Sequence, residues 1–271
     1  MSTAAHTRNF FNAIGDPADV RGDGTEHLKL SIDHSHIRYF ISQGDSTVYY
    51  GEYALQSVTS DAELRGQLEI ILDKDAFLNK DFSLVYILWS GGFEIVPTIF
   101  YEEEETDDTA GVNEIMGGEA RFVFEKVEAI AQLLRSKYPT ALHYHSGAVL
   151  IETLRRTGQT ESQNLFINVS AGRIEVVYFD ASGALRIYNQ YEYRSTQDYI
   201  YFVLLVADEM GINRAETRAM LMGEVSQDSQ LYDMTTRYFR SVTFAKEPAD
   251  RTFSAAFEGY PMHFNYPLYN L

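Results

Sequence analysis

The chain of 271 residues contains no cysteine, and this absence removes several kinds of chemistry at once. Without a thiol there is no disulfide, no thiolate nucleophile, no cysteine-bound iron–sulfur cluster and no cysteine-based zinc site. Any metal ion would therefore have to bind to histidine and carboxylate side chains.

Long apolar runs and positive charge are also scarce. No segment approaches the roughly 18 consecutive apolar residues of a membrane helix, and the polar residues 1–9 lack the apolar core of a secretory leader. We therefore expect a cytoplasmic protein that does not insert into a membrane. The 39 acidic residues outnumber the 22 basic ones, which gives a formal net charge of -17 at pH 7. Because such a chain repels polyanions, nucleic acid is not expected as a partner.

Aromatic residues, in contrast, are abundant, with 19 tyrosines and 17 phenylalanines. Large aromatic side chains favour strand-rich packing, and they also supply contact area at protein interfaces. The sequence therefore indicates a β-rich core, an adhesive surface, or both.

Two stretches of the chain show the same order of predicted elements. Each begins with three short runs of apolar residues, many of them alternating with polar ones, which predict β-strands. A capping box then starts a helix, at Ser60 in the first stretch and at Ser195 in the second, and a further apolar run follows each helix. The predicted strands are residues 28–32, 37–41, 47–55 and 82–89 in the first stretch, and residues 165–169, 174–179, 185–193 and 220–222 in the second.

The same patterns give provisional boundaries. Residues 1–25 are polar and rich in glycine, which predicts a flexible N-terminal arm. Residues 26–161 form the first predicted half, which includes an additional α/β segment, and residues 162–247 form the second. Residues 248–271 are left as a C-terminal tail.

The repeated order of three meandering strands, a helix and a further strand resembles the ribonuclease-H-like fold, which is duplicated in actin, sugar kinases and Hsp70. Residues 189–201, Gly223–Glu224 and Leu231–Tyr232, with residues 28–32 and 93–97, also resemble a family of bacterial proteins of the Bacteroidetes type, domain-of-unknown-function family 3822. The resemblance covers most of the chain after residue 25. It implies an α/β protein with a duplicated ribonuclease-H-like (actin-like ATPase) fold, two mixed sheets and flanking helices, in the cytoplasm. That family has no established activity, so it supplies no catalytic residue.

In active actin-like ATPases each half offers an Asp-x-Gly turn, in which backbone amides approach phosphate and the acid orients magnesium or water. The first corresponding turn here has Asp33 but no glycine, and the second has Gly172 but no acid at the end of the strand. We therefore predict no catalytic residue and no cofactor. ATP remains a candidate ligand only through the remnants Asp33, Gly172 and Gly223. Gly223 follows a predicted strand where relatives pack adenosine, although a turn glycine that supplies a backbone conformation is the favoured interpretation.

Two further clusters, one of histidines and one of acidic residues, are candidates for a metal or partner site. His143 and His145 lie on one face of a predicted strand, but catalytic zinc normally takes three protein ligands, so packing histidines and no metal site are predicted. The acidic run Glu102–Asp108 could hold calcium or a basic partner. Consecutive like charges repel one another, however, so a solvated loop is favoured.

Two classes of function follow from these patterns. The first is a non-catalytic actin-like scaffold that binds a protein partner or itself, through the region between its halves or through exposed aromatic residues such as Tyr188, Tyr191 and Tyr193. The alternative is a divergent nucleotide-binding protein or phosphotransferase that uses Asp33 and Gly223. The fold also resembles the actin-like components of pilus and secretion machines, which implies protein binding by analogy alone.

Overall fold

The computed structural model describes residues 10–56, 58–102, 109–161, 164–246 and 251–271. Residues 1–9 of the predicted arm and residues 103–108 of the acidic run lie outside this part. The chain divides into two compact units. Unit 1 comprises Met1–Val149, Asp250–Gly259 and Leu271, and unit 2 comprises Leu150–Ala249 and Tyr260–Asn270. This division falls at residues 149 and 150, within a helix, whereas the sequence suggested residues 161 and 162.

The elements alternate between strands and helices along the chain. The strands are β1 (Phe10–Ile14), β2 (His27–Ile32), β3 (His36–Gln43), β4 (Ser46–Ala54), β5 (Leu84–Trp89), β6 (Phe93–Pro97), β7 (Ala110–Ile115), β8 (Ala120–Glu125), β9 (Leu142–His145), β10 (Asn164–Ser170), β11 (Arg173–Phe179), β12 (Leu185–Glu192), β13 (Arg218–Gly223), β14 (Ser241–Phe244) and β15 (Thr252–Phe253). The helices are α1 (Asp61–Lys74), α2 (Glu128–Lys137), α3 (Ser146–Arg156), α4 (Thr196–Glu209), α5 (Gln230–Tyr238) and α6 (Tyr266–Tyr269).

Unit 1 is built on a seven-stranded mixed sheet. Its strands follow the order β1-β4-β3-β2-β5-β9, and β15 also pairs with β4. The meander β2-β3-β4 is antiparallel, whereas β5 and β9 are parallel to their neighbours because α1 and α2 carry the chain back across the sheet. The six central residues of β3 are all buried, as expected for a strand between two others.

Unit 2 repeats this strand order in a five-stranded sheet, β12-β11-β10-β13-β14. β10 is antiparallel to β11 and parallel to β13, as β2 is to β3 and β5. Helices α4 and α5 pack against each other and contribute to a core with one face of the sheet. Buried residues of this core include Leu165, Ile167, Val169, Ile174, Val176, Tyr199, Val203, Val206, Leu221 and Phe239. The chain is therefore a mixed α/β protein, as predicted.

Both capped helices begin where the sequence indicates. The Ser60 hydroxyl accepts a hydrogen bond from the Glu63 amide at 3.3 Å, and the Ser195 hydroxyl accepts one from the Asp198 amide at 3.1 Å. In each case the acid accepts from the amide of the residue before the cap, Thr59 or Arg194, rather than from the cap itself. The two helix starts therefore use the same variant of the capping box.

A third sheet of three strands, in the order β6-β8-β7, was not expected from the sequence. Its three strands belong to unit 1 and lie between β5 and α2 along the chain. Its middle strand presents Phe122 and Phe124 to one side, where both are almost fully buried, and half-exposed residues to the other. The sequence has strand-like apolar runs at residues 93–101 and 120–127, but β7 carries glycine, asparagine and glutamate and shows no such pattern.

The first described residues form part of the sheet rather than the flexible arm expected for residues 1–25. β1 pairs antiparallel with β4 from Phe10 to Ile14, and Phe11 contacts the ring of Tyr53 with centroids 4.7 Å apart. Val20 is buried, and the Glu26 carboxylate accepts from two amides of the preceding loop. The physical reason is that β4 would otherwise present an unpaired edge.

The predicted C-terminal tail is likewise ordered over residues 251–271. β15 pairs in parallel with β4 in unit 1, and Phe257 is buried there against Phe40. Residues 260–270 belong to unit 2, where Tyr266 and Tyr269 are almost fully buried. Among the described helices, none is long and apolar enough to cross a membrane.

A buried carboxylate ties the end of α1 to the sheet of unit 1. Asp75 is 5% exposed and accepts hydrogen bonds from the hydroxyls of Tyr39 at 2.8 Å and Tyr53 at 2.7 Å. Its other oxygen accepts from the amides of Phe77 and Leu78. Burial and the neighbouring carboxylate both raise the pKa of the two tyrosine hydroxyls, so these remain protonated donors.

We expect Asp75→Ala to lower the free energy of unfolding by about 3 kcal/mol, because it leaves the hydroxyls of Tyr39 and Tyr53 without their carboxylate acceptor. Urea unfolding followed by circular dichroism measures this change. Asp73→Ala, at an exposed site near the end of the same helix, is the matched control and should have little effect. Equal unfolding midpoints for the two variants would contradict the structural role of Asp75.

Candidate functional site

The turn between β2 and β3 contains Asp33, the first candidate nucleotide residue. One carboxylate oxygen accepts from the amides of Ser35 at 2.7 Å and His36 at 2.8 Å, and from the Ser35 hydroxyl at 2.5 Å. The other oxygen accepts from the Arg38 guanidinium at 3.3 Å. The amides that could face a phosphate are therefore bonded to the turn's own carboxylate.

The electrostatics of this turn agree with a structural role. Burial alone would raise the pKa of Asp33, but the Arg38 guanidinium and the bonds from Ser35 and His36 outweigh burial, and the pKa lies below its usual value. Arg38 also bonds to Glu52 on β4 at 3.3 Å, and the Tyr50 hydroxyl donates to the same carboxylate. Asp33 is thus part of an ion-pair network that joins the turn after β2 to β3 and β4.

The second turn, between β10 and β11, contains Gly172. Its φ of +75° is in the left-handed region, where glycine is favoured, but an added Cβ would meet nothing nearer than the Tyr193 carbonyl oxygen at 3.8 Å. The Gly172 carbonyl accepts from the Tyr193 amide at 2.9 Å, which joins the turn to the segment after β12. Gly172 therefore supplies the positive φ that a two-residue hairpin turn requires.

Gly223 ends β13, beside the last residues of β10. Its φ is +78°, and an added Cβ would lie 1.9 Å from the Val169 carbonyl oxygen and 2.8 Å from the Asn168 side-chain oxygen. The following amide, of Glu224, donates to the same Val169 carbonyl at 2.8 Å. Only glycine allows the two strand ends to approach so closely. The structure thus brings Gly172 and Gly223 to the same end of one sheet, whereas Asp33 belongs to the other unit.

The C-terminal segment of unit 2 covers the Gly223 turn. The Gly223 amide donates to the His263 carbonyl at 2.7 Å, and the His263 ring bonds to the Val225 carbonyl through Nε2 at 2.8 Å. The same ring stacks on Phe244 with centroids 4.2 Å apart. Burial lowers the pKa of His263, so the ring is neutral and its Nε2–H is the donor. The Gly223 amide is therefore already bonded within the protein.

A buried polar cluster lies next to this turn and was not found from the sequence. Glu175 is 4% exposed and accepts from the Tyr188 hydroxyl at 2.7 Å and from the side-chain Nδ2 of Asn168 at 2.5 Å. Burial and the Glu175 carboxylate raise the pKa of Tyr188 well above its usual value. A glutamate within an apolar strand pattern, paired across the ladder with Asn168, was the available sign of this cluster.

The aromatic residues of β12, and Tyr193 directly after it, do not form the exposed surface expected from the sequence. Tyr188 is buried, and Tyr191 stacks on Phe202 of α4 with centroids 4.8 Å apart. The Tyr193 hydroxyl donates to the Ser170 carbonyl at 3.2 Å. The alternation along β12 shows which residues share a face, but α4 covers the face that carries Tyr191 and Tyr193.

The two histidines of β9 are packing residues. The Trp89 indole donates to Nδ1 of His143 at 2.9 Å, and burial, with the nearby Lys126 and Arg135 charges, lowers the pKa of His143 to about 4. His145 is fully buried and stacks on Phe122 with centroids 4.6 Å apart. Within the described residues, no three histidine, aspartate or glutamate side chains lie close enough together to hold a metal ion.

An exposed apolar surface in unit 1 was also missed by sequence analysis. Ile99 and Phe100 follow β6 and are 85% and 72% exposed. They are adjacent in a short 3-10 turn, whereas most other exposed apolar residues are scattered singly. The apolar run of residues 93–101, with Pro97 inside it, predicts only a short edge strand, and such a pattern does not show that its end is exposed.

The strand order and the two turns indicate which class of fold the chain has. The topology is that of the actin-like ATPase fold, with the glycine of one turn and the acid of the other bonded internally. A Bacteroides thetaiotaomicron protein of unknown function with an actin-like ATPase fold is similar, with a TM-score of 0.72 and 19% identity over 84% of this chain and 93% of that one. A chain of the PilM–PilN type IV pilus biogenesis complex has a TM-score of 0.56 and 10% identity over 90% of this chain and 96% of that one.

The chain belongs to the family of proteins of unknown function DUF3822, which matches residues 18–242. This confirms the resemblance seen in the sequence. No curated protein matches the chain. The similarities to solved structures are below 25% identity and therefore establish the fold alone.

Substituting the two turn glycines separates a steric requirement from a conformational one. We expect Gly223→Ala to cost at least about 4 kcal/mol, because the new methyl group collides with backbone. Gly172→Ala has a similar φ but open space, so about 1 kcal/mol is expected. Thermal unfolding of both purified variants measures the difference. Equal melting temperatures would show that the close approach at Gly223 is not required.

Proposed function

We propose that this chain is a non-catalytic, cytoplasmic scaffold with an actin-like fold that binds a protein partner. The observation that carries the proposal is the adjacent exposed pair Ile99 and Phe100. Exposing two large apolar side chains side by side costs hydration free energy, about 1.5–3 kcal/mol for each relative to burial. A partner that covers them recovers this free energy.

The pair follows β6, an outer strand of the three-stranded sheet. We define the outer surface as Ile99 and Phe100 together with the outward residues of the three-stranded sheet, which are Glu94, Val96, Val112, Glu114, Arg121 and Val123. The three valines are partly exposed, and neighbouring strands pair Val123 with Val112. The opposite face is occupied by Phe122 and Phe124 and packs on His145. The outer surface is thus the side of this sheet available to a partner.

The charge on and around this surface indicates what kind of partner fits. The exposed carboxylates are Glu94, Glu102, Glu114, Glu119 and Glu125. The guanidinium of Arg121 is bonded to Glu114 at 2.9 Å. A complementary segment would carry apolar side chains flanked by lysine or arginine. A second copy of this acidic chain would present like charges and is disfavoured, so a different protein is the proposed occupant.

Two further observations support the proposal. The polar atoms of Asp33 and the amide of Gly223 are bonded internally, which leaves the turns poorly suited to bind phosphate. A chain of similar fold belongs to the PilM–PilN type IV pilus biogenesis complex. The parallel extends only to the use of this fold in binding another protein.

The partner proposal is tested with a double variant of the exposed pair. Wild-type protein captures partners from a native-host lysate, and each captured protein is then produced separately and titrated by calorimetry. We expect Ile99→Ser with Phe100→Ser to weaken binding by a factor of about 100, since two apolar contacts are lost. Binding should also weaken as salt increases, because the surface is acidic.

Ile70→Ser provides the matched control, because Ile70 is an apolar residue of α1 that is 53% exposed and far in sequence from the outer surface. It should leave the affinity unchanged. A partner that binds the double variant as tightly as it binds wild type would contradict the outer surface. Failure of every isolated partner to bind wild type in a direct titration would contradict the proposed function itself.

The alternative function, nucleotide-dependent phosphotransfer, makes a different prediction. We expect calorimetric titration with ATP and magnesium to give no saturable heat that depends on Asp33, because Asp33 and Gly223 are bonded within their own units. Asp33→Ala is the accompanying variant. Saturable heat that this variant abolishes would favour the nucleotide function over the scaffold.

A further inference from the structure

A concave surface of unit 2 collects positive charge in an otherwise acidic chain. The cavity has a volume of about 550 Å³, and Arg214, Arg237 and Arg240 are among the residues that line it. No lining residue carries a carboxylate. Because acidic residues outnumber basic ones by 39 to 22 in the chain, a surface with three arginines and no acid departs from the average composition.

The arginines are largely free to bind a ligand. Arg214 lies 3.6 Å from Asp208 and keeps 37% of its side chain exposed. Arg237 and Arg240 are exposed, and in the part of the chain that the structure describes neither side chain has an acidic partner. An arginine with no carboxylate partner keeps its guanidinium hydrogens available to an anion.

The backbone holds these arginines in a defined arrangement. The Arg240 amide donates to the Arg214 carbonyl at 3.2 Å, which links the segment before β14 to the segment before β13. Between Arg237 and Arg240, Phe239 is 2% exposed and belongs to the core of unit 2. The chain direction on both sides of Phe239 is therefore constrained by the core.

The helix dipole explains only part of this charge. Arg237 is in the last turn of α5, where a cation is stabilised by the negative end of the helix. Arg214 and Arg240 lie outside α5, so the same effect does not account for them. A site for an anion accounts for all three.

We infer that this surface, which we call the arginine groove, binds the phosphoryl group of a small soluble molecule. The planar guanidinium fork matches the geometry of phosphate oxygens and can form paired hydrogen bonds with them. Thr236 and Asn213 add exposed polar groups, and the ring of Tyr238, 44% exposed, offers a flat apolar surface beside them. The ligand class is therefore a phosphorylated metabolite rather than a bare ion.

The arginine groove is separate from the turns weighed as nucleotide sites. Residues 212–215 precede β13 and residues 239–240 precede β14, whereas Gly223 is the last residue of β13. Since these strands are parallel, the groove and Gly223 lie at opposite ends of the sheet. The inference therefore does not depend on the proposed protein-binding function.

The groove is tested by titrating the whole protein with inorganic pyrophosphate at low ionic strength. Calorimetry and phosphorus NMR measure the binding. We expect saturable binding that weakens about tenfold for each arginine removed, and so about 100-fold in Arg237→Ala with Arg240→Ala. Both positions are exposed, and circular dichroism verifies that the double variant is folded. Arg65→Ala, at an exposed site of α1, is the control and should bind as wild type does.

The remaining outcomes would overturn the inference. No binding by wild type, or equal binding by wild type and the double variant, removes the groove as the site. Tighter binding of an oligoglutamate peptide than of pyrophosphate identifies a carboxylate site instead. Equal affinity for sulfate and pyrophosphate identifies non-specific attraction between opposite charges.

Discussion

Each of the two larger sheets depends on a parallel ladder. In both, the first strand of the meander pairs with the strand that follows the first helix. β2 pairs with β5 in unit 1, and β10 pairs with β13 in unit 2. A parallel pair requires a long crossover connection, and α1 and α4 are the helices of these two crossovers. The ladder also brings the end of β13 against β10, which is why Gly223 has no room for a side chain. The strand order and the environment of the turns both follow from this pairing.

Much of the fold could be predicted because its signals are local. The caps at Ser60 and Ser195, and the apolar periods that surround them, lie within a few residues of the elements they define. β1 and β7 were missed because they are short and interrupted by polar residues or glycine. Their strand conformation comes from pairing with β4 and β8, and such distant partners leave no periodic pattern in the sequence.

The candidate site could be predicted in composition but not in its contacts. The sequence shows that neither of the two turns that correspond to the Asp-x-Gly motif combines an acid with a glycine, and it locates Asp33, Gly172 and Gly223. It does not show that Arg38 binds Asp33, or that a residue as distant as His263 binds the Gly223 amide. The prediction that Tyr188 is exposed was wrong for a related reason. Alternation identifies the two faces of a strand, but it does not show what covers each face.

The route of the C-terminal segment has a consequence for biosynthesis. Residues 251–259 supply β15 and Phe257 to unit 1, although the ribosome makes them after every strand of the unit 2 sheet. Domains usually fold as they emerge, with the N-terminal one first. Here the earlier unit remains incomplete, with the edge of β4 only partly paired and Phe40 without its contact to Phe257, until the later unit has been translated. The nascent chain therefore exposes part of its first core for most of its synthesis.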